Sequence, residues 1–600
     1  MIKPFVGIRK DWQDRLTKKT YLSDWRDAWN YRVLPSTIET FLNNLLPAIA
    51  FSQDLFNRTN HNYGLNEILL SQGISGLLFG ILGYPLSIVG VSAPSCIICY
   101  TIFDIFMDTN STGEINVPKD KFNDGFNFFG FMFWVYLWTG IITIFTSIMN
   151  VVCFFQFVTN FPCDIFGCFI NVVYIVKGCE LLGLSFKANA TIEDVATGFA
   201  NITIALCMTI FGVLTKRINE TRLFTHDIRI FIRDYSTILS VIFWSGVTHF
   251  GNAFKYVKFE KLDISKSFQP SYAGRTSWLA IDNHLPAKYV FLAIPFGIVL
   301  WILLFFDHNI SSLMAQKTEY KLNKKSMYHW DFCLLSVHTI LCGVLGLPAG
   351  HCLIPQSFLH TETLLLFKDK NKEQEEEEID EKEKEDENTK VNPLDDNLSD
   401  IDQNSNTSNL VHRRMEHIEN EHFATSVENL DDKEENNNNN KVQSKNMYIS
   451  GVVEQRLTNS LQGLMMIICM CRPFLVCLNQ IPQCILSALF FILGINGLLG
   501  NTNIQRLIYL VSDVKDGPLK QVSVKKLICF LIITYIFAAG EILVSQLENV
   551  SIGFPLVLLL SILVTFGFPK FFNKEELNIL DSNVVTKESI KNLLSENLQT

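Results

Sequence analysis

Residues 341–363 have the sequence LCGVLGLPAGHCLIPQSFLHTET, in which a long apolar run is interrupted. The run ends at Pro348, passes through a short mixed stretch, and resumes at Pro355 with the polar side chains of Gln356 and His360. The helix is expected to restart at Pro355 itself, because proline is natural at the first helical position, where its missing N–H would have no partner. The stretch therefore predicts a helix that is broken inside an apolar region and restarts with polar groups at the break.

The rest of the chain is also apolar enough to lie in a membrane. It has 600 residues, of which 48% are hydrophobic and 48 are phenylalanine. A hydrocarbon core about 30 Å thick is crossed by about 20 helical residues, and apolar runs of that length recur. These runs predict an all-α polytopic protein in a lipid bilayer. The fourteen predicted segments lie near 33–53, 66–83, 93–108, 126–150, 162–182, 194–214, 230–250, 287–315, 330–348, 355–367, 457–479, 481–500, 523–545 and 553–572.

The net charge of −10 comes from one acidic segment. Residues 368–440 contain 24 acidic and 9 basic side chains, so the remaining residues hold 36 acidic and 41 basic ones. A segment this charged, without apolar periodicity, buries too little surface to offset its chain entropy. Residues 368–446 are therefore predicted to form a disordered acidic cytosolic loop.

The basic residues predict the orientation of the chain. Clusters of Lys and Arg follow the sixth, eighth and twelfth segments, which are all even-numbered. Because such clusters mark cytoplasmic loops, both termini should be cytosolic. Residues 1–32 are predicted to be a cytosolic N-terminus with a short interfacial helix, and residues 573–600 a cytosolic tail.

Two predicted segments, the third and the tenth, are too short to cross a bilayer, and the same pattern precedes both. The stretch GILGYP at residues 80–85 follows the second segment, and GVLGLP at 343–348 follows the ninth. The two copies are seven segments apart. Because seven is an odd number, they should lie in opposite orientations in the membrane. This is the pattern of an inverted repeat of seven plus seven segments.

The broken helices predict a binding site. Two half-helices that start near the bilayer midplane would direct free N–H groups and positive dipole ends at one another, which suits an anion or an oxygen-rich ligand. Irregular backbone at that depth is tolerated only where it is buried in protein or lines a cavity. The alternative is a proline kink without a ligand.

Further polar residues are predicted at the same depth. Asp307 and His308 lie inside the eighth segment, where a carboxylate is costly and usually functional. Structural pairing of Asp307 with His360 is the alternative. His338 in the ninth segment is predicted to be a packed histidine bonded to a neighbouring helix.

One face of the first segment is polar. Its residues follow the i, i+3, i+4, i+7 spacing of a helix face. This face either lines the site or bonds to neighbouring helices. Its members are Thr40, Asn43, Asn44 and Pro47.

Many motifs along the chain occur in the order of one known family. They include PFVGIRKDW, GVSAPS, FFDHNISSLMAQ, LIPQSFLHTETLL, VVEQRLTNSLQGLM and IPQCILSALFFILGINGL. Together they resemble the borate-transporter branch of the anion-exchanger and bicarbonate-transporter superfamily, closest to its fungal boron-exporting members. The resemblance covers nearly the whole chain apart from the acidic loop.

The resemblance implies an architecture. It implies fourteen segments in two inverted seven-segment repeats, half-helices at segments 3 and 10, an elevator-like slide, and a homodimer formed through the gate domains. The core domain would comprise residues 33–150 (segments 1–4), 287–367 (segments 8–10) and 447–479 (segment 11). The gate domain would comprise residues 151–250 (segments 5–7) and 480–572 (segments 12–14).

The resemblance also implies a substrate and a site. The substrate would be boric acid or borate, exported by secondary active transport to give boron tolerance. Asp307 would be the coupling residue, with protons as the candidate coupling ion. Anion exchangers have an arginine where this chain has Gln356, and an amide suits a polyhydroxyl solute. The implied substrate-binding residues are Asn43, Asn44, Ser92, Ala93, Ser95, Asp307, Gln356, Ser357 and His360.

Other functions stay open at this stage. They are a bicarbonate- or chloride-type anion exchanger, a nucleobase transporter on the same scaffold, and a membrane acyltransferase with His338 as base. No ATP-binding loop motif is found. We expect no enzyme activity, no cofactor or metal, and no nucleic-acid partner. The expected location is the plasma membrane, with the vacuole membrane left open.

Overall fold

The computed structural model describes most of the chain. The predicted acidic loop, from residue 370, and the tail from residue 583 lie outside the described residues. The described residues are 4–582 without 109–116, 123, 184–185, 187–190, 219–222, 251–253, 255–256, 262–266, 273, 282–284, 317–319, 370–446, 513–517 and 548–549.

The described residues are mainly helical. The helices before residue 250 are α1 (Val6–Arg15), α2 (Lys18–Arg26), α3 (Val33–Arg58), α4 (Leu65–Leu82), α5 (Ala93–Phe106), α6 (Phe128–Ile148), α7 (Asn160–Gly183), α8 (Ile192–Lys216) and α9 (His226–Val247). Those after it are α10 (Ala287–Ala315), α11 (Tyr328–Leu345), α12 (Ile354–Thr363), α13 (Leu457–Cys469), α14 (Arg472–Leu478), α15 (Gln483–Gly500), α16 (Thr502–Val511), α17 (Val524–Gln546), α18 (Phe554–Thr565) and α19 (Lys574–Leu580).

Three short antiparallel strand pairs accompany the helices. One of them, β1 with β4, joins the two halves of the chain. The pairs are β1 (Val89–Gly90) with β4 (His351–Cys352), β2 (Met107–Asp108) with β3 (Val117–Pro118), and β5 (Leu365–Asp369) with β6 (Met447–Val452).

The prediction of a polytopic helical membrane protein is confirmed. Within the described residues, nine helices are long and apolar enough to cross a membrane, or ten spans if α13 and α14 are taken as one. Each of the fourteen predicted segments contains at least one helix.

Two predicted segments differ from the structure. The segment 457–479 bends by 83° between α13 and α14, because Cys471 is extended and a proline follows in the first turn of α14. The segment 355–367 is helical only to Thr363, and the chain then enters β5.

The helices form two packed groups. In the first, α4 packs on α13 and α11 packs on α6, while α3 contacts α13 and α10 contacts α6. The crossing of α4 and α13 is close because Gly76 meets Gly463: a Cβ on Gly76 would lie 2.6 Å from the Gly463 Cα. Small residues permit such approaches between membrane helices.

The second group contains α7, α8, α9, α15, α17 and α18. Within it α7 packs on α15, α17 and α18, and α8 packs on α15 and α9. An aromatic cluster joins it to the first group: the Phe51 ring of α3 lies 5.7 Å from Tyr174 of α7 and 5.6 Å from Phe490 of α15. The candidate site lies in the first group, where β1 meets β4.

Candidate binding site at two opposed helix starts

The two broken helices start beside each other. β1 ends at Gly90, shortly before α5 begins, and β4 ends at Cys352, shortly before α12 begins. In the strand pair Val89 lies opposite Cys352 and Gly90 opposite His351. The Leu353 N–H also donates to the Ile88 carbonyl oxygen, at 2.8 Å. The antiparallel pairing therefore holds the first turns of α5 and α12 at one place in the membrane.

The prolines lie one position later than predicted. The helices begin at Ala93 and Ile354, so Pro94 and Pro355 are second residues and Gln356 is the third residue of α12. Proline still fits there because the N–H groups of the whole first turn lack helical partners.

Close backbone approach between the strands depends on glycine. A Cβ on Gly350 would lie 2.7 Å from the Gly90 carbonyl oxygen, closer than real side chains come. Immediately before β4 begins, the backbone of the second copy therefore needs this glycine to reach the first. Gly346, which ends α11, has φ of +55°, a left-handed conformation that favours glycine.

The short helix α12 carries three predicted site residues, two in its first turn and His360 in its last turn. Ser357 Oγ accepts from the Ile88 N–H at 3.0 Å and so fixes α12 to the first copy. Gln356 is 9% exposed, and its Oε1 has no hydrogen-bond partner among the described residues. His360 Nδ1 lies 3.4 Å from the Leu86 carbonyl oxygen, which leaves Nε2 without a partner in the described part of the chain.

The start of α5 carries three further predicted site residues. Ser92 precedes the helix, and Ala93 and Ser95 lie in its first turn; all three are buried. The Ser92 and Ser95 hydroxyl oxygens are 3.3 Å apart. Ser92 Oγ is also 2.6 Å from His351 Nε2 on the opposite strand. The Ser92 hydroxyl group, just before one half-helix, therefore contacts the strand that leads into the other.

Asp307 reaches the same place from α10. Its Oδ2 lies 3.2 Å from His351 Nε2, and the carboxyl group is buried. The alternative partner proposed from sequence, His360, is wrong, because His360 faces the Leu86 carbonyl group. The neighbouring His308 accepts the Cys352 N–H on Nδ1, at 3.3 Å, and this bond braces α10 against β4.

The polar face of α3 contributes unequally. Asn44 Nδ2 donates to Gln462 Oε1 at 3.1 Å, Gln462 donates to Asn459, and Asn459 donates to the Ser87 carbonyl oxygen. This chain of amides links α3 through α13 to the stretch before β1. Asn43 is half-buried, and its side chain makes no hydrogen bond with the described residues.

The unsatisfied polar atoms indicate what the site can bind. A buried polar atom without a partner costs about 1–3 kcal/mol, so such atoms on several of the predicted polar residues suggest a place that a ligand completes. A ligand with several hydroxyl groups could donate to these acceptors and accept from the N–H groups of the helix starts. In the described residues the atoms are Asn44 Oδ1, Asp307 Oδ2, His308 Nε2, Gln356 Oε1 and His360 Nε2.

A comparison to protein families identifies the family of the chain. The model for the HCO3- transporter integral membrane domain matches residues 3–203, 187–386 and 423–585. The chain belongs to this bicarbonate-transporter family. It is thus a multi-pass membrane transporter, as its apolar helices indicate.

Individual relatives extend the comparison. This family member is 44% identical to Boron transporter 1 of Saccharomyces cerevisiae, over 99% of this chain and 88% of that protein. It is 25% identical to "Probable boron transporter 3" of Arabidopsis thaliana, over 99% of this chain and 83% of that protein. The solved structure of SLC26A9 aligns with a TM-score of 0.51 at 11% identity, covering 90% of this chain and 66% of that one. The last match shows a shared fold.

The sequence of this bicarbonate-transporter family member does not by itself identify His351 or Gln462 as residues of the site. Both are buried and both contact predicted site residues. For His351 the signal was available, since it is a polar residue inside the extended stretch between the two prolines of the second copy. His338 lies where predicted, bonded to a neighbouring helix through the Ser71 carbonyl oxygen at 3.3 Å.

Proposed function

We propose that this bicarbonate-transporter family member is a secondary active transporter that exports boric acid or borate and gives boron tolerance. The observation that carries the proposal is Gln356: a neutral amide at the start of α12 whose buried oxygen has no hydrogen-bond partner among the described residues. Identity to a protein named Boron transporter 1 over nearly the whole chain supports the choice of solute.

The chemistry of the site suits a polyhydroxyl solute. Boric acid has three hydroxyl groups that both donate and accept, and borate has four. The helix starts supply N–H donors, Ser92 and Ser95 supply hydroxyl groups of either kind, and Gln356 supplies a donor and an acceptor. None of the nine proposed binding residues carries a fixed positive charge. A permanently charged anion would therefore rely on the helix dipoles alone.

The second candidate is a bicarbonate- or chloride-type anion exchanger. The family match and the two helix starts favour it, because helix N-termini bind anions. The neutral side chain of Gln356, at the position where anion exchangers have an arginine, disfavours it. Competition by the two kinds of solute separates the candidates.

We also propose two inverted repeats of seven segments, divided into core and gate. The packing supports this, because each contact recurs when every helix is exchanged for the helix seven segments away. The contact of α4 with α13 corresponds to that of α11 with α6, and the contact of α3 with α13 corresponds to that of α10 with α6. The core would contain α3–α6 and α10–α14. The gate would contain α7–α9, α15, α17 and α18, and would form the homodimer. Alternating access would follow from an elevator-like slide of the core along the gate.

Asp307 is the proposed coupling residue, and protons are the proposed coupling ion. The carboxyl group is buried beside both helix starts and its Oδ2 has no hydrogen-bond partner among the described residues. Such a group can take up and release a proton as the site changes sides. Export to the outside further implies the plasma membrane, a placement that is itself part of the proposal.

The test compares cells with and without the protein in high borate. We expect lower boron content and faster growth when the protein is present. Excess bicarbonate or chloride should leave the effect unchanged. Equal boron content in the two strains would contradict the proposed function, and strong competition by chloride or bicarbonate would favour the anion exchanger.

A further inference from the structure

His351 is a polar residue of the site to which the proposed function gives no role. Its side chain is fully buried in β4, between α5 and α10. Nε2 is 2.6 Å from Ser92 Oγ and 3.2 Å from Asp307 Oδ2. One ring nitrogen therefore faces both a helix start that is proposed to bind substrate and the carboxyl group that is proposed to carry the coupling proton.

The other ring nitrogen determines which group donates. Nδ1 of His351 lies 3.1 Å from the Cys352 carbonyl oxygen. A carbonyl oxygen only accepts, so Nδ1 carries a hydrogen. In a neutral imidazole Nε2 is then an acceptor, and the Ser92 hydroxyl group donates to it. Asp307 Oδ2 is within ion-pair distance of Nε2 but has no hydrogen-bond partner among the described residues.

This geometry favours one proton held between Asp307 and His351. A protonated carboxyl group beside a neutral ring is attractive, and so is a carboxylate beside an imidazolium ion. Without the proton, a carboxylate faces the lone pair of Nε2 at 3.2 Å, and the repulsion is strong because the buried surroundings have a low dielectric constant.

The same proton changes what Ser92 can offer. While Nε2 is bare, the Ser92 hydroxyl group donates to it and presents only lone pairs to a ligand. Once Nε2 carries a hydrogen, Ser92 accepts from the ring and its own hydrogen can be donated to a ligand. The protonation of the pair is therefore converted into a change of hydrogen-bonding pattern at the start of α5.

We propose that His351 shares the coupling proton with Asp307 and transmits its presence to Ser92, so that substrate affinity depends on protonation. The inference rests on the proposed function, since it needs a transported solute that Ser92 contacts. His351 is a positioning residue, because it acts on the substrate through Ser92. One proton enters from the aqueous phase to which the site is open and leaves to the other, and no bond of the substrate is broken.

Other titratable groups surround the pair. The elements packed against β4 supply them from several directions, and the His338→Gln control tests whether one of them sets the pH profile. In the described residues these groups are His308 beside Asp307 on α10, His338 on α11, Tyr174 on α7, Cys352 in β4 itself, and His360 and Asp331 near the stretch that β4 pairs with.

The experiment measures boric acid flux into liposomes that contain the full-length protein, with equal pH on both sides. KM is determined between about pH 5.5 and 8. If one proton binds with the substrate, wild-type KM changes by about tenfold per pH unit beyond the midpoint. His351→Gln keeps a polar amide but cannot titrate, so its KM should vary by less than about twofold over the same range.

His338→Gln is the matched control. It makes the same change at a buried histidine that contacts Ser71 rather than Asp307 or Ser92. Its KM should keep the wild-type pH dependence. If His351→Gln does not fold, Ser92→Ala tests the same link: its KM should be high and nearly independent of pH.

Three results would overturn the inference. The first is a wild-type-like pH dependence of KM in His351→Gln, or in Ser92→Ala. The second is a wild-type KM that does not change with pH although boron is transported. The third is absence of boron flux in the wild type, which alone would also contradict the proposed function.

Discussion

At the scale of single residues, Gln356 sets the polarity of the start of α12, where the proposed site lies. It is the third residue of α12, it is buried, and its Oε1 has no hydrogen-bond partner in the described chain. Free N–H groups and the helix dipole already attract oxygen atoms at this place. The amide adds a donor and an acceptor without adding charge, which favours a neutral or weakly charged polyhydroxyl solute.

Gln356→Arg should therefore lower boron flux by about tenfold or more, because a fixed charge replaces a matched hydrogen-bonding group at a cost of about 1.4 kcal/mol or more in substrate binding. Flux of chloride should rise. Both are measured in liposomes at matched protein content. Gln505→Arg, at an exposed position of α16, is the control and should leave boron flux unchanged. Normal boron flux in Gln356→Arg would show that Gln356 does not face the substrate.

The residues of the site were predictable only in part. Asp307 could be found because a carboxyl group inside an apolar segment is costly, and Gln356 because it follows the restart proline. The partner of Asp307 could not be found, since the pairing of β1 with β4 brings His351 to it across 44 positions of sequence. Periodicity along one helix contains no information about such a contact.

Arg456 joins three elements on the cytosolic side that the basic residues predict. Its Nη1 donates to the carbonyl oxygens of Gly80, Ile81 and Gly83, at 3.3, 3.1 and 2.7 Å, and so caps the end of α4. Its Nε is 2.9 Å from Asp24 Oδ2 of α2. The α4 C-terminus, the N-terminal helices and the start of α13 are therefore held by one buried side chain.

Arg456→Met should destabilise the protein by about 3 kcal/mol or more, because it leaves buried carbonyl groups and part of a buried ion pair unsatisfied. Thermal unfolding in detergent measures the effect. Lys325→Met removes a pair with Asp14 in which the lysine side chain is 67% exposed, and should change stability by less than about 1 kcal/mol. Equal effects of the two substitutions would contradict a structural role for the Arg456 cap.

The buried carboxyl group of Asp581, at the contact between α19 and α7, predicts that the stability of the fold depends on pH. It accepts the Phe161 N–H at 2.8 Å, and burial raises its pKa from near 3.8 to about 6. A raised pKa favours the protonated form of the folded protein. The folded state is therefore relatively more stable below about pH 4, and loses up to about 3 kcal/mol as pH rises through 6.

Asp581→Asn keeps the acceptor and removes the charge. Its thermal stability should exceed that of the wild type at pH 7.5, and the difference should disappear near pH 4. Unfolding of both proteins in detergent at the two pH values tests this. A variant that is less stable than the wild type at pH 7.5 would show that the charge of Asp581 stabilises the contact, most directly through Arg506.

At the level of elements, the sequence predicts the long helices well and the irregular ones less well. The hexapeptide copies and the prolines predict the starts of α5 and α12, because proline has a defined place in a helix. The two-residue strands β1 and β4 are too short to have a periodicity. The 83° bend between α13 and α14 lies at Cys471, just before a proline whose effect on the backbone a hydropathy pattern does not report.

At the scale of the whole molecule, an ionic contact joins the proposed core and gate. Lys177 Nζ of α7 lies 3.3 Å from Asp54 of α3 and 4.9 Å from the Tyr100 ring centre of α5. It also bonds Glu180 on its own helix, at 2.8 Å. An elevator-like slide requires this contact to break in every transport cycle, since α3 and α5 would move and α7 would not.

Lys177→Met should therefore populate a second arrangement of core and gate. It leaves the buried Asp54 unpaired, which costs the present arrangement about 3 kcal/mol or more, equivalent to a shift of about 100-fold in the equilibrium. Spin labels at the exposed positions Asn57 on α3 and Ile192 on α8, in a background without exposed cysteines, would report it as a new distance. Glu180→Gln is the control and should keep the wild-type distance distribution. If Lys177→Met shows only the wild-type distance between the two labels, a slide that separates these helices would be contradicted.

The long apolar helices and their order were predictable from apolar length alone, because the bilayer imposes that length. The correspondence of packing between the two halves was predictable only as far as the repeated hexapeptide indicated it. Which helices meet, such as α4 with α13, follows from small residues on both partners. A single-chain hydropathy pattern does not reveal that match.

Boron flux in liposomes under an imposed pH gradient tests the central proposal most directly, with protein-free liposomes as the measure of passive leak. The wild type should move boron against its concentration gradient when the pH gradient is applied. Asp307→Asn mimics a carboxyl group that no longer titrates, so it should bind boric acid but lose gradient-driven accumulation. Wild-type flux no greater than the leak would contradict boron transport, and gradient-driven accumulation in Asp307→Asn would contradict coupling through Asp307.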